Sequence, residues 1–252
     1  MTAVFTKSLI KQFSKTVNEY DLIEEGDHIA IGFSGGKDSL TMLHLFKRFL
    51  RVSPRKFTFT AITVDYGNGQ DFKALEEHCK LYEIPLKVFN TNISTVAEDT
   101  IRENSSFCSY FSRMRRGALY RACEELDCNK LALGHHLDDA VESFFMNMFY
   151  NGSLRSMPPI YMSKYNIAVI RPLITSREMQ LAHFVAENNF GTVGDEACPG
   201  MAMKVKLPYA RAHIKEMLSS LESEHTDMFT MIKSSFKHIH DSTFFDPTKF
   251  NR

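Results

Sequence analysis

The stretch from His28 to Lys47 constrains this chain more than any other. His28-Ile29-Ala30-Ile31-Gly32-Phe33 is a short apolar run that stops at Ser34-Gly35-Gly36, and Leu40, Leu43, His44, Phe46 and Lys47 then follow at helical spacing. An apolar run of that length reads as a strand, the glycines turn the chain, and the change of period starts a helix. The same change recurs, with strands expected over 56–64, 85–89, 130–133 and 168–170 and helices over 71–82, 111–126 and 137–150. Strands that alternate with helices pair in parallel, because a parallel neighbour needs a crossover connection. The expected fold is α/β, a doubly wound and mainly parallel sheet.

Helices are also expected at both ends. Residues 7–20 place Ile10, Phe13, Val17 and Tyr20 on one face. Thr175-Ser176-Arg177-Glu178 has capping-box spacing and should open a helix with Met179, Ala182, Val185 and Ala186 inward. Pro208 suits the first turn of another helix, whose Ile214, Met217, Leu218 and Leu221 share a face. The tail contains Phe244, Phe245 and Phe250, which could dock it. This divides the chain into an N-terminal helix over 1–26, a main domain over 27–190 and a helical C-terminal extension over 191–252.

Length supports that division, since 252 residues bury one full core with a small extension. Thirty basic and thirty acidic residues leave no global positive field, so any contact with nucleic acid must be local. The start, MTAVFTKSLIKQF, lacks the apolar stretch of a signal peptide and nothing approaches a membrane span, so a cytoplasmic location is expected. Cys79, Cys108, Cys123, Cys128 and Cys198 are an odd set, which points to thiol or metal chemistry, or burial, rather than a disulfide framework.

Ser34-Gly35-Gly36-Lys37-Asp38-Ser39 lies between a strand and a helix, where free amides and the positive helix end attract anions. Two glycines let the backbone approach phosphate oxygens, the serines add hydroxyl donors, and Asp38 is placed to hold magnesium. Walker A spacing fails because Asp38 separates Lys37 from Ser39. A plain serine-glycine turn is the alternative. A second constellation, Gly134-His135-His136-Leu137-Asp138-Asp139, also follows a strand and opens a helix. Its two aspartates suit magnesium or the positioning of a reacting group, and simple helix capping would equally select them.

The loop resembles the SGGxDS signature of PP-loop ATP-pyrophosphatases, which cleave ATP between the α and β phosphates. In that family neighbouring strand ends frame the nucleotide; the matching positions are Val64-Asp65 and Gly134-His135, although Asp65 also reads as an ordinary loop acid. With Ile170-Arg171-Pro172-Leu173, the chain is similar to the tRNA-modifying branch that includes lysidine synthetases and TtcA-type 2-thiocytidine synthetases. Three further stretches favour the second type. Cys108-Ser109-Tyr110-Phe111-Ser112-Arg113-Met114-Arg115-Arg116-Gly117 is similar to CxxC-SRLRRG. Met148-Phe149-Tyr150-Asn151-Gly152 through Met157-Pro158-Pro159 is similar to NMFYGG through MPP, and His240-Asp241 to Phe245 to that family's ending.

The resemblance implies ATP and magnesium as cofactors, tRNA as partner, a cysteine desulfurase as a sulfur donor, and a 4Fe-4S cluster on three cysteines. It assigns Asp38, Asp138, Asp139, Cys108 and Cys198 to catalysis, with Ser34 to Ser39, Val64, Asp65, Gly134, His135 and Arg171 around the nucleotide. Asp38 would hold magnesium, and Cys108 and Cys198 an incomplete iron-sulfur site. The chain departs from the pattern at Phe111, where the second cysteine is missing, and Cys123 lies roughly 18 Å further along the helix. Arg113, Arg115, Arg116 and Arg121, without a neighbouring acid, form a basic stripe for RNA backbone. A solvated helix face, or ATP as the recipient, is the alternative for these arginines. Tyr110 or Phe111 could stack on an unpaired base, and core packing is the alternative for Phe111. A homodimer is one assembly the sequence allows. Competing readings are an adenylating enzyme with a non-sulfur nucleophile, as in lysidine synthetases, and an ATP-binding regulator without turnover.

Overall fold

The computed structural model describes residues 3–100, 107–191, 209–245 and 248; side chains of 97–110 and Tyr209 are outside this description. In chain order it contains α1 (Lys7–Glu19), β1 (His28–Gly32), α2 (Lys37–Val52), β2 (Thr58–Asp65), α3 (Lys73–Leu81), β3 (Leu86–Asn90), α4 (Ile93–Thr100) and α5 (Phe107–Glu125). These are followed by β4 (Lys130–Ala132), α6 (Leu137–Asn151), β5 (Ile160–Met162), β6 (Ala168–Ile170), α7 (Glu178–Glu187), α8 (Tyr209–Glu224) and α9 (Met228–Ser235).

The strands form one sheet in the order β3-β2-β1-β4-β6-β5, parallel throughout except that β5 runs antiparallel to β6. Central strands read as continuous apolar runs because both faces are covered. On one face α1, α2, α3 and α7 enclose Leu9, Phe13, Leu43, Phe46, Leu75, Leu181 and Phe184; on the other α4 and α5 enclose Ile93, Leu119, Ala122 and Cys123. A third cluster lies off the sheet, where Ile214 and Leu218 of α8 and Phe229 of α9 pack on Leu137 and Val141 of α6. No described helix is long and apolar enough to cross a membrane.

Four local expectations are corrected. The buried stripe of α1 runs through Leu9, Phe13, Thr16 and Val17, so Leu9 takes the place assigned to Ile10. In α7 the inward residues are Leu181, Phe184 and Val185, while Met179 is 69% exposed. The helix begins two residues later than the capping box suggested: Arg177 is its N-cap and its N–H donates to Gln180 Oε1, while Thr175 pairs with Thr16 instead. In the tail, Phe244 is half exposed and Phe245 is 97% exposed, so neither is buried against the described residues; Phe250 lies outside them. The short edge strand β5, α4 and α9 had no counterpart among the elements expected from periodicity.

Candidate active site

β2, β1, β4 and β6 lie side by side and point the same way, so the residues after their carboxyl ends share one rim of the sheet. Strand order turns outward in both directions from β1 and β4, which opens a crevice between them at that rim. Ser34 to Ser39 follow β1, Asp65 closes β2, Gly134 and His135 follow β4, and Arg171 follows β6. The two glycine motifs touch: a Cβ added at Gly134 would sit 3.4 Å from Asp38 C and Ser39 N.

Gly35 has φ +82°, a left-handed conformation that glycine adopts without strain. Gly36 is the N-cap of α2 and no side chain caps that helix, so its first-turn amides face the crevice without a capping acceptor. Ser39 Oγ donates to Gly36 O at 2.9 Å and lies 3.3 Å from Ser34 Oγ, bracing the turn from inside. α6, by contrast, is capped: Asp139 N–H donates to His136 Nδ1 at 3.4 Å, and Asp139 Oδ2 accepts His136 N–H at 3.1 Å.

The two adjacent aspartates face different partners. Asp138 accepts Arg177 Nε at 3.1 Å and the Glu178 N–H at 2.8 Å, and so anchors the start of α7. Burial works to raise its pKa, but the adjacent His136 ring, the hydrogen bond from the Glu178 N–H and the Arg177 charge hold it below the usual range. Asp139 faces Arg211 of α8 at 2.6 Å, and Arg211 also binds Glu142 at 2.8 Å. His136 lies between the acids, 3.5 Å from Asp139, 3.6 Å from Asp138 and 3.8 Å from Asp38.

Asp38 is the group in the crevice that this arrangement leaves unsatisfied, with Oδ1 buried and without a hydrogen-bond partner. Burial raises its pKa, partly offset by His136 and Lys37. Among the described residues no three His, Cys, Asp or Glu side chains form a metal cage. Magnesium needs none, since it takes one or two carboxylates and completes its shell with phosphate and water. The orphaned Asp38 oxygen beside an uncapped helix end fits that mode.

Arg171 is buried and holds His135 by donating from Nε to Nδ1 at 3.3 Å, while Nη1 donates to Pro158 O at 2.7 Å. Burial first, and the Arg171 charge second, lower the His135 pKa to about 4, so the ring is neutral with its proton on Nε2. Arg115 and Arg116 of α5 add to that depression, and all four arginines of the stripe are exposed. Asp65 accepts the Gly67 N–H at 2.8 Å, as an ordinary turn acid does, and Val64 is buried in the core.

Cys79, Cys123 and Cys128 are buried, and burial pushes their thiols up to about 11, 12 and 11. Such thiols are poor nucleophiles. The Cys108 backbone is in the first turn of α5, and Cys198 lies outside the described residues, so their spacing is not part of this site's described geometry. Phe111 is 5% exposed and packs against the Tyr66 ring, which makes it a core residue and not a stacking platform. A phenyl ring cannot ligate iron, so the residues present do not fit a cluster held by three cysteines.

Arg177, Glu178, Arg211, Lys215 and Glu222 were not anticipated. Lys37 Nζ is 2.9 Å from Glu178 Oε1, and Lys215 Nζ is 3.1 Å from Glu178 Oε2. Arg177 makes a paired contact with Glu222 at 2.7 and 2.9 Å. The one sequence signal for this layer is the spacing of Arg211, Lys215 and Glu222, which shares a helix face with Ile214 and Leu218.

A parallel α/β sheet with an uncapped, glycine-turned helix end at its central crevice defines a nucleotide-binding protein of the PP-loop class. Residues 5–218 match the PP-loop domain family. The tRNA-cytidine(32) 2-sulfurtransferase of Citrifermentans bemidjiense is 34% identical over 240 residues, covering 94% of this chain and 92% of its own. That of Geobacter metallireducens is 38% identical over 212 residues, covering 83% and 81%. The chain belongs to the PP-loop family that contains these sulfurtransferases. Its fold is also that of the U34-tRNA thiolase NcsA from Methanococcus maripaludis, solved with its 4Fe-4S cluster, with a TM-score of 0.71 at 23% identity over 92% of this chain and 77% of that one.

Proposed function

We propose that this chain is an ATP-pyrophosphatase that adenylates the C2 oxygen of a cytosine in a tRNA anticodon loop and replaces that oxygen with sulfur. What supports this is the meeting of Ser34 to Ser39, Gly134, His135 and Arg171 in one crevice, in a chain 34–38% identical to tRNA-cytidine(32) 2-sulfurtransferases. Residues 27–190 would be the catalytic unit, with 1–26 packed on it and 191–252 as an extension.

The uncapped amides of α2, the two serine hydroxyls and Lys37 hold the phosphates of ATP. Asp38, with Asp139 nearby, would hold a magnesium ion, which when bound screens the phosphate charge. The cytosine C2 oxygen attacks the α-phosphorus, the bond to the β-phosphate bridging oxygen breaks, and pyrophosphate leaves. Neutral His135 presents an Nε2–H donor while the buried Arg171 keeps the surroundings positive, which stabilises the charge that develops. The proposed role of Asp138 is to fix α7 against the crevice rather than to touch substrate.

Sulfur transfer would use Cys108 and Cys198 without iron. The terminal sulfur of a persulfide on one of them, supplied by a cysteine desulfurase, attacks C2, and AMP leaves with the former oxygen. The second thiolate attacks the cysteine sulfur, releases 2-thiocytidine and closes a Cys108–Cys198 disulfide that a dithiol reductant reopens.

The test is product analysis with labelled ATP and bulk tRNA. AMP and pyrophosphate, dependent on tRNA, are expected; ADP and phosphate would overturn the reading. Pyrophosphate release without any sulfur in the tRNA would favour a non-sulfur nucleophile, and ATP binding without turnover a regulator.

The exposed arginines give a second expected result. Arg115→Glu combined with Arg116→Glu should weaken tRNA binding and lower its logarithmic salt slope by about 0.7–0.9 for each phosphate that the variant no longer neutralises. ATP affinity should change little. Because the charge of both arginines reaches His135, an equal loss of ATP affinity would assign them to the nucleotide instead.

A further inference from the structure

The carboxylate of Glu178 is shared by two lysines from distant parts of the chain, one oxygen for each: Lys37 from the nucleotide loop and Lys215 from α8. We propose that Glu178 is a relay between the ATP site and the C-terminal helix, and that Lys215 neutralises Glu178 when the phosphates of ATP draw Lys37 away. The proposal rests on the assignment of Ser34 to Ser39 to ATP.

The backbone that carries Glu178 is held in place when Lys37 leaves the carboxylate. Its N–H is bound to Asp138 Oδ2 at 2.8 Å. The preceding Arg177 is tied to Asp138 at 3.1 Å and to both oxygens of Glu222, with its guanidinium 3.5 Å from the centre of the Phe229 ring. The first turn of α7 is thus pinned by α6 on one side and by α8 and α9 on the other. A carboxylate on that anchored backbone, without its lysine, repels phosphates gathering at that lysine, because like charges in a half-buried crevice are poorly screened.

Lys215 is the cation already placed to remove that repulsion. It occupies the second Glu178 oxygen without competing for the first, and it lies one helical turn after Arg211, which serves Asp139 and Glu142 in the same way. α8 therefore supplies countercharge to two acids that border the nucleotide loop, while Ile214 and Leu218 seat it on α6. Coupling between two sites is reciprocal: if ATP tightens the Glu178–Lys215 pair, the pair tightens ATP.

The experiment is calorimetric titration of the full chain with magnesium and α,β-methylene ATP. Lys215→Met should weaken binding roughly fivefold to tenfold, at the lower end of site-to-site coupling because Lys215 is largely exposed. Glu178→Gln should bind as tightly as wild type or more so, and adding Lys215→Met to it should change nothing further, since the charge that needed masking is gone. Lys215→Arg should restore wild-type affinity. A loss of equal size in the Glu178→Gln background would show that Lys215 acts through α8 stability or on ATP directly, and would overturn the relay. So would an unchanged affinity in the single variant. If wild type itself fails to bind the analogue, the ATP assignment and the relay fall together, whereas normal wild-type binding with an inert Lys215→Met removes the relay alone.

Discussion

Asp38→Ala should lower tRNA-dependent pyrophosphate release by on the order of a hundredfold to a thousandfold, the loss typical of removing one preorganised electrostatic group from a reaction centre. Asp38 occupies the first turn of α2, beside the amides that would meet the phosphates, and Gly134 is pressed against its backbone. One of its oxygens is buried without a hydrogen bond, an arrangement that costs about 1–3 kcal/mol. Asp38→Asn should therefore unfold at the wild-type temperature or slightly above it while losing activity to a similar degree. The checks are a pyrophosphate-release assay and a thermal melt on the same preparations. Activity retained in either variant would remove Asp38 from the chemistry, and a large fall in melting temperature would make it a structural residue.

Lys130→Ala should produce the largest loss of stability. Its ammonium group is buried at the start of β4, 2.8 Å from Asp27 and 2.7 Å from Glu24, and its side chain and that of Asp27 are 5% and 3% exposed. Asp27 also accepts from Asn129 at 2.7 Å and from the Glu24 N–H at 2.6 Å, so the cluster fastens the loop before β1 to the strand beside it. Removing one partner of a buried pair leaves an uncompensated charge and costs about 3–5 kcal/mol. At this chain length that corresponds to a fall in melting temperature on the order of 10 °C. Asp27→Asn in the Lys130→Met background should recover much of the loss. A melting temperature within a degree or two of wild type for Lys130→Ala would contradict the buried network.

The sheet was legible because its signal is local. Each central strand is a short apolar run bounded by a turn, and each crossover helix changes the period. β5 escaped because Ile160-Tyr161-Met162 is three residues long, sits at an edge and takes its partner from β6 only after the chain folds back. The phase of α7 escaped for a different reason. Thr175 has the better local cap chemistry, but Asp138 holds the Glu178 N–H and Thr175 is taken by α1, so a tertiary contact sets where the helix begins.

The same division runs through the site. Ser34 to Ser39 and Gly134 to Asp139 were visible because glycine, serine and aspartate at strand ends carry their chemistry in short spacings. The layer of Arg177, Glu178, Arg211, Lys215 and Glu222 was invisible, since each ion pair in it joins elements far apart in the chain and an isolated Lys or Glu on a helix reads as a solvated face. His135 shows the intermediate case. Its motif marked it, but its neutral state follows from burial and from Arg171, which arrives from β6.

Sulfur transfer to tRNA cytosine driven by ATP is tested by mass spectrometry of tRNA nucleosides from a strain lacking this chain. 2-Thiocytidine should disappear on deletion and return with the wild-type chain, but not with Asp38→Ala, Cys108→Ser or Cys198→Ser. The two cysteine variants should still release pyrophosphate when assayed with ATP and tRNA. An undiminished level of 2-thiocytidine in the deletion strain would show that this chain does not thiolate tRNA cytosine.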